Sequence, residues 1–176
     1  KKKIFITTGG SGGHVIPALT IYDHLKNEHD LLISSDQRGL KYFETEKYQP
    51  FIIDTPKINI SIFFPFVIFK VFLLIIKSLW ILKKEKISII VSTGGYMSLP
   101  LCLAAKILGI KICLIEPNMV LGRANRFFLK FSKVIIGYSK NIHGFPKNFN
   151  NKLRILKPLV RKKYHEELIN LQDTKS

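Results

Sequence analysis

The chain has 176 residues, 47% of them apolar and 23% charged, with two cysteines and a formal net charge of +16 at pH 7. That length suits one domain with a substantial core, and that composition excludes a disordered chain. Cys102 and Cys113 lie in apolar runs without redox or metal-ligand spacing, which excludes a disulfide scaffold and predicts two small core residues in a reducing compartment.

Between Lys86 and Lys163 there are 15 basic residues against one acid, Glu116. A surface so charged attracts an anionic partner. No paired zinc ligands, aromatic RNA-binding strand or base-reading helix accompanies it, so nucleic acid is not expected, whereas acidic lipid or a phosphorylated ligand is.

Lys1–Lys3 run straight into an apolar strand, Ile4–Thr7, and no signal peptide is expected. The strand enters Thr8-Gly9-Gly10-Ser11-Gly12-Gly13-His14, and Val15 to Asn27 then carries Val15, Leu19, Tyr22 and Leu25 near helical spacing. Pro17 is expected in the first turn, where a missing N–H costs little. Glycines between a strand and a helix let the backbone approach a ligand, and a helix start offers unpaired N–H groups to an anion. The stretch therefore reads as an anion site with a titratable group built in. The plainer alternatives are a ligand-free turn, and a His14 that only caps the helix.

Leu31–Ile33 is a second strand, 39–47 a helix, and Phe51–Ile53 a third strand. This alternation predicts an α/β fold, a Rossmann-like, doubly wound parallel sheet. The stretch from Ile58 to Leu82 is apolar except for Lys70 and Lys77. Its longest charge-free run, Ile58 to Phe69, has 12 residues and contains Pro65, short of the roughly 18 a span needs. The expected form is a helix partly in the core and partly in a membrane interface, with Phe63, Phe64, Phe66, Phe69, Lys70 and Lys77 at the lipid. A buried crossover helix with a solvated lysine edge is the alternative.

Ser88–Ser92 is the next strand, and it enters Thr93-Gly94-Gly95-Tyr96-Met97-Ser98, an echo of Thr8-Gly9-Gly10. Two such units put two close-approach loops at the carboxyl edge of one sheet, where α/β proteins bind ligands. A helix over 99–108 should stop at Gly109. Lys111–Ile115 is a strand ending at Glu116-Pro117-Asn118, which makes Glu116 either an ion-pair partner or a functional carboxylate. A basic helix over 121–131, a strand at Val134–Ile136 and another at Leu153–Leu156 follow. From Arg161 the chain turns polar and reads as an interdomain linker.

Three ordered motifs, Gly9–Pro17 (Gly-Gly-Ser-Gly-Gly-His-x-x-Pro), Gly94-Gly95-Tyr96-x-Ser98 and Glu116-x-Asn118, resemble the amino-terminal half of the MurG-type glycosyltransferases. These enzymes add N-acetylglucosamine to undecaprenyl-diphosphate-linked MurNAc-pentapeptide (lipid I), making lipid II in peptidoglycan synthesis. The resemblance runs from Ile4 to about Arg161 and implies half of a GT-B fold. It places Ser11, Gly12, Gly13, Asn118 and Arg161 at the UDP-GlcNAc donor. Gly94, Gly95, Tyr96 and Ser98 would sit at the acceptor, with His14 as the base that takes the acceptor hydroxyl proton and Glu116 beside it. It further implies a peripheral protein on the cytoplasmic face of the bacterial inner membrane, touching an anionic membrane surface. No cofactor or metal is expected, since no Asp-x-Asp pair is present and glycine-loop N–H groups can stabilise a leaving diphosphate.

Two departures stand out. The family usually has Glu-Gln-Asn where this chain has Glu116-Pro117-Asn118, and Gly-Asn-Pro-Val-Arg where it has Lys157-Pro158-Leu159-Val160-Arg161. The expected organisation is an acceptor domain over 1–160 and the start of a linker over 161–176. The carboxyl-terminal donor domain lies outside the chain, in the same or a separate polypeptide, so the chain alone should be inactive. The competing readings are a membrane-recruiting subunit of a split glycosyltransferase, a GT-B enzyme for another lipid acceptor, and a nucleotide-binding module whose Asp36 is a weak substitute for a ribose-binding acid.

Overall fold

A computed structural model of the chain describes residues 1–44, 46–56 and 64–158. Seven parallel strands form one sheet in the order β3-β2-β1-β4-β5-β6-β7. They are β1 (Lys3–Thr7), β2 (Asp30–Ser35), β3 (Phe51–Ile52), β4 (Ile89–Ser92), β5 (Lys111–Glu116), β6 (Val134–Gly137) and β7 (Leu153–Ile155). The helices are α1 (Gly12–Leu25), α2 (Phe64–Lys84), α3 (Leu99–Ile107) and α4 (Arg123–Phe128). The doubly wound parallel sheet is the one anticipated, and its strand order reverses between β1 and β4. That switch point opens a crevice at the carboxyl ends of the two strands.

Both faces of the sheet are covered, so successive strand residues are buried on opposite sides. Ile4, Ile6, Ile33, Val91 and Ile115 pack with Val15, Ala18 and Leu19 of α1. Phe5, Ile90, Ile112, Leu114 and Ile135 pack with Ile81 and Leu82 of α2, Leu101 and Ala105 of α3 and Phe128 of α4. A parallel sheet needs this double cover, which explains why its strands read as continuous apolar runs.

Several local expectations are corrected. The described residues of 39–47 form no α-helix: a single 3₁₀ turn, Leu40–Tyr42, is followed by extended Phe43. The chain uses this stretch to bury Phe43 and Tyr48 edge-to-face with each other, with Tyr48 in turn against Tyr22 of α1. Helix α1 begins at Gly12, so Pro17 sits beyond the first turn. The carbonyl left without its helical donor is then that of Gly13, an exposed residue, where the lost bond costs little. Leu121 is not helical. It is buried, and its N–H donates to the His143 carbonyl at 3.0 Å, which delays α4 to Arg123. Gly109 ends α3 as anticipated, with φ +67.

Helix α2 is long and apolar enough to cross a membrane by length and composition, and one narrow side of it lies in the core. Val71, Ser78, Ile81 and Leu82 are buried, whereas Phe66, Phe69, Phe72, Leu73, Ile76 and Trp80 are exposed. Their three- and four-residue spacing puts the exposed set on one face. Lys70, Lys77 and Lys84 are exposed along its border, with the Lys84 ammonium 4.6 Å from the Trp80 ring centre. Phe64 is half-buried, and Phe63 lies outside the described residues.

Cys102 is fully buried and Cys113 half-buried. Burial pushes the Cys102 thiol up to about 12, against hydrogen bonds with Ser92 and Ser98 that act the other way, and the Cys113 thiol up to about 11. Iodoacetamide at pH 8 should therefore leave both unlabelled in the native protein and label both in denaturant, read by peptide mapping.

Candidate functional site

The loop after β1 is shaped by the residues behind it. A β-carbon at Gly9, which has φ +151, would stand 2.7 Å from Asp36 Oδ1 and 2.8 Å from Met97 Cγ. Only glycine allows this approach. Asp36, just past the end of β2 and buried, accepts from the Gly10 N–H at 2.7 Å and the Gly39 N–H at 3.0 Å. The loop is thus pinned from below, and Ser11 follows with extended backbone as the residue preceding α1. The Ser11 carbonyl accepts from the N–H groups of His14 and Val15 at 3.0 and 3.1 Å. Among the described residues, the N–H groups of Ser11, Gly12 and Gly13 have no acceptor, and they open α1 toward the crevice.

His14 is the first titratable side chain of α1. Its Nδ1 lies 2.7 Å from the carbonyl oxygen of Thr93, the residue that precedes the second glycine pair. A carbonyl oxygen can only accept, so Nδ1 carries a proton, and in the neutral ring Nε2 is the nitrogen with the lone pair. The ring is half-buried. Gly94 and Gly95 have φ +90 and +82, and β-carbons built on them would come 3.4 Å from His14 Cε1 and 3.8 Å from His14 Cδ2. The second loop therefore packs flat beside the imidazole because it has no side chains there. Thr93 Oγ1 donates to Thr8 Oγ1 at 2.8 Å, which ties the two loops together below the ring.

The other anticipated residues divide in two. Tyr96 and Asn118 stand at the crevice: Tyr96 is half-buried, and Asn118 is exposed. Ser98 and Glu116 do not face it. Ser98 is fully buried and donates to the Gly95 carbonyl at 2.7 Å, so it shapes the loop. Glu116 is also fully buried. Its Oε1 accepts from the backbone and side-chain nitrogens of Asn118, both at 3.2 Å, and its Oε2 from the Gly122 N–H at 2.8 Å and Asn125 Nδ2 at 3.0 Å. Four donors fill its acceptor positions, so this carboxylate organises the loop after β5 and has nothing left for substrate. Arg161 lies outside the described residues.

Sequence reasoning missed three supporting side chains. Asp36 reads in sequence only as a weak ribose acid, yet it is the clamp beneath the first loop. Arg38, two residues on, donates from Nε to Asp36 Oδ2 at 2.9 Å and from Nη2 to the Tyr96 hydroxyl. Asn125 lies on α4, where no motif marks it, and couples Glu116 to the back of Gly94. Its Nδ2 is 3.2 Å from where a Gly94 β-carbon would be. What could have signalled the first two is the Asp-x-Arg-Gly run directly after a strand at the switch point.

The family model described as the glycosyltransferase family 28 N-terminal domain matches residues 4–136. A Pelagibacter ubique protein named UDP-N-acetylglucosamine--N-acetylmuramyl-(pentapeptide) pyrophosphoryl-undecaprenol N-acetylglucosamine transferase is 49% identical over 94% of this chain and 47% of its own length. A Rickettsia canadensis protein of the same name is 34% identical over 92% of this chain and 45% of its own. The chain spans about half the length of the curated relatives it matches. Among solved structures, Acinetobacter baumannii MurG superposes with a TM-score of 0.75 at 23% identity, over 91% of this chain and 46% of that one. A UDP-GlcNAc 2-epimerase from Neisseria meningitidis gives 0.66 at 13% identity, over 98% and 51%. At those identities the likeness is one of fold.

Proposed function

Because the chain belongs to the glycosyltransferase family 28 N-terminal domain family, we propose that it is the acceptor-side half of a two-domain enzyme of the MurG type. In this reading the whole enzyme transfers N-acetylglucosamine from UDP-GlcNAc to undecaprenyl-diphosphate-linked MurNAc-pentapeptide. Residues 1–160 form the acceptor unit, 161–176 begin the linker, and the donor-holding domain is supplied from beyond this chain. The names of the relatives support the substrates, and the observation that carries the chemistry is the hydrogen bond from His14 Nδ1 to the Thr93 carbonyl.

That bond leaves Nε2 as the basic nitrogen at the mouth of the crevice. The acceptor hydroxyl loses its proton to Nε2 as its oxygen attacks the anomeric carbon of the donor, and the bond from that carbon to the diphosphate breaks. The leaving UDP gains negative charge, which the free N–H groups of Ser11, Gly12 and Gly13 and the start of α1 are placed to stabilise without a metal. Asn118, exposed beside the crevice, is available to the donor sugar. Tyr96 and the glycine pair before it line the acceptor side.

The acceptor is anchored in a bilayer, so the enzyme must work at its surface. The exposed face of α2, with Phe66, Phe69, Phe72 and Trp80 bordered by Lys70 and Lys77, supports docking to an anionic membrane. Replacing Phe66, Phe69 and Phe72 together by Ser should release the intact enzyme from vesicles containing anionic lipid in a flotation assay. Unchanged co-flotation would rule this face out.

The transferase reading is tested by incubating the intact two-domain enzyme with labelled UDP-GlcNAc and a polyprenyl-diphosphate-linked MurNAc-pentapeptide. Labelled lipid product and stoichiometric UDP are expected, and neither from residues 1–176 alone. Turnover by residues 1–176 would overturn the division of labour.

A further inference from the structure

Arg38 is placed as no motif of the chain foretold. It sits on the turn after β2, and its guanidinium stands beside the first glycine loop: a β-carbon at Gly10 would be 3.7 Å from its Nη2. The same group reaches the second loop, where Nη2 donates to the Tyr96 hydroxyl and the guanidinium carbon lies 5.1 Å from the centre of the Tyr96 ring. Asp36 holds it from behind, with Nε 2.9 Å and Nη2 2.8 Å from Oδ2. Three contacts on one edge fix the plane of the guanidinium. Its Nη1 edge has no hydrogen bond among the described residues, and the side chain is 49% exposed.

Asp36 offsets this charge only in part. Its other oxygen is taken by the Gly10 and Gly39 N–H groups, so one carboxylate serves both donor sets. What the half-exposed side chain offers beside the two glycine loops is therefore a pre-oriented cation with two N–H bonds unpaired among the described residues. A planar fork of this kind matches the oxygens of a phosphate group.

We propose that Arg38 is a diphosphate-binding residue, held between the two glycine loops by Asp36 and Tyr96 so that its Nη1 edge meets a phosphate oxygen. The proposal deepens the transferase reading and rests on it for the source of the diphosphate, which is either the lipid-linked acceptor or the sugar-nucleotide donor.

The test uses the intact enzyme with Arg38→Met and Arg38→Lys. For Arg38→Met, the KM of one substrate should rise about tenfold or more while kcat stays within a few-fold, as expected for a lost charge-assisted hydrogen bond. A rise for the lipid-linked substrate assigns Arg38 to the acceptor diphosphate, and a rise for UDP-GlcNAc assigns it to the donor. Arg38→Lys should recover part of the loss, because the charge remains and the fork does not. A brace between loops would instead lower the unfolding midpoint and leave both KM values within twofold, and that result overturns the proposal. Calorimetric titration of the same proteins with inorganic pyrophosphate supplies the independent reading. Binding at least tenfold weaker in Arg38→Met upholds the site even where no sugar transfer is seen, in which case only the transferase reading fails. Pyrophosphate binding equal in wild type and Arg38→Met, beside normal transfer, overturns the site alone.

Discussion

Replacing His14 by Ala in the intact enzyme should lower kcat about 10²–10⁴-fold, the usual contribution of a positioned general base. With Nδ1 donating to the Thr93 carbonyl at 2.7 Å, the neutral ring is held in one tautomer and one orientation, and Nε2 has no hydrogen bond among the described residues. Thr93 is itself fixed by its N–H to the Thr7 carbonyl and its hydroxyl to Thr8, so the orienting group belongs to the sheet and does not drift with the loops. The domain should still fold. The imidazole is half-buried, and its loss leaves the carbonyl of buried Thr93 without its side-chain donor, at a cost of about 1–3 kcal/mol. The measurement is steady-state kinetics beside a urea unfolding curve. Near-normal turnover would reduce His14 to a strut between the two glycine loops.

Glu116→Ala should act in the opposite way, on stability first. The side chain is fully buried, and removing it strands the N–H groups of Asn118 and Gly122 and the side-chain amide of Asn118, while Asn125 Nδ2 keeps only the Ile115 carbonyl at 3.0 Å. Each stranded buried donor costs about 1–3 kcal/mol, and water can reach Asn118, so a total of about 3–5 kcal/mol is expected. That is a large share of a domain's stability. The effect should appear as a lower urea midpoint for the unfolding of this domain. Activity should fall as well, since Asn118 would lose its anchor beside the crevice and Asn125, behind Gly94, would be held by the Ile115 carbonyl alone. Glu116→Gln should recover only part, because its NH₂ meets donors where an oxygen is needed. Full stability with a selective loss of kcat would instead return Glu116 to the chemistry.

The sheet was legible because a doubly covered parallel sheet demands apolar strands, and Ile4–Ile6, Ile89–Val91 and Ile112–Ile115 meet that demand in plain composition. The glycine pairs were legible for a related reason: backbone at positive φ against Met97 and His14 tolerates nothing else. What stayed hidden depends on contacts between distant segments. Residues 39–47 have helix-forming composition, yet the burial of Phe43 and Tyr48 against Tyr22 outweighs it. Glu116 and Ser98 carry chemistry-bearing side chains next to glycine motifs, and only their hydrogen-bond partners reveal that both are turned inward. Arg38 reads in sequence as one more cation of a basic chain. Its meeting with Tyr96, 58 residues away, is set by the adjacency of β2, β1 and β4.

Base catalysis by His14 needs a free lone pair on Nε2, and ¹⁵N NMR of the histidine-labelled intact enzyme, recorded at a pH where the ring is neutral, reads it directly. The resonances of His14, assigned by their loss in His14→Ala, should show Nδ1 as the protonated nitrogen and Nε2 as the bare acceptor. A spectrum with the proton on Nε2 would contradict the bond to Thr93 and remove the base from the site.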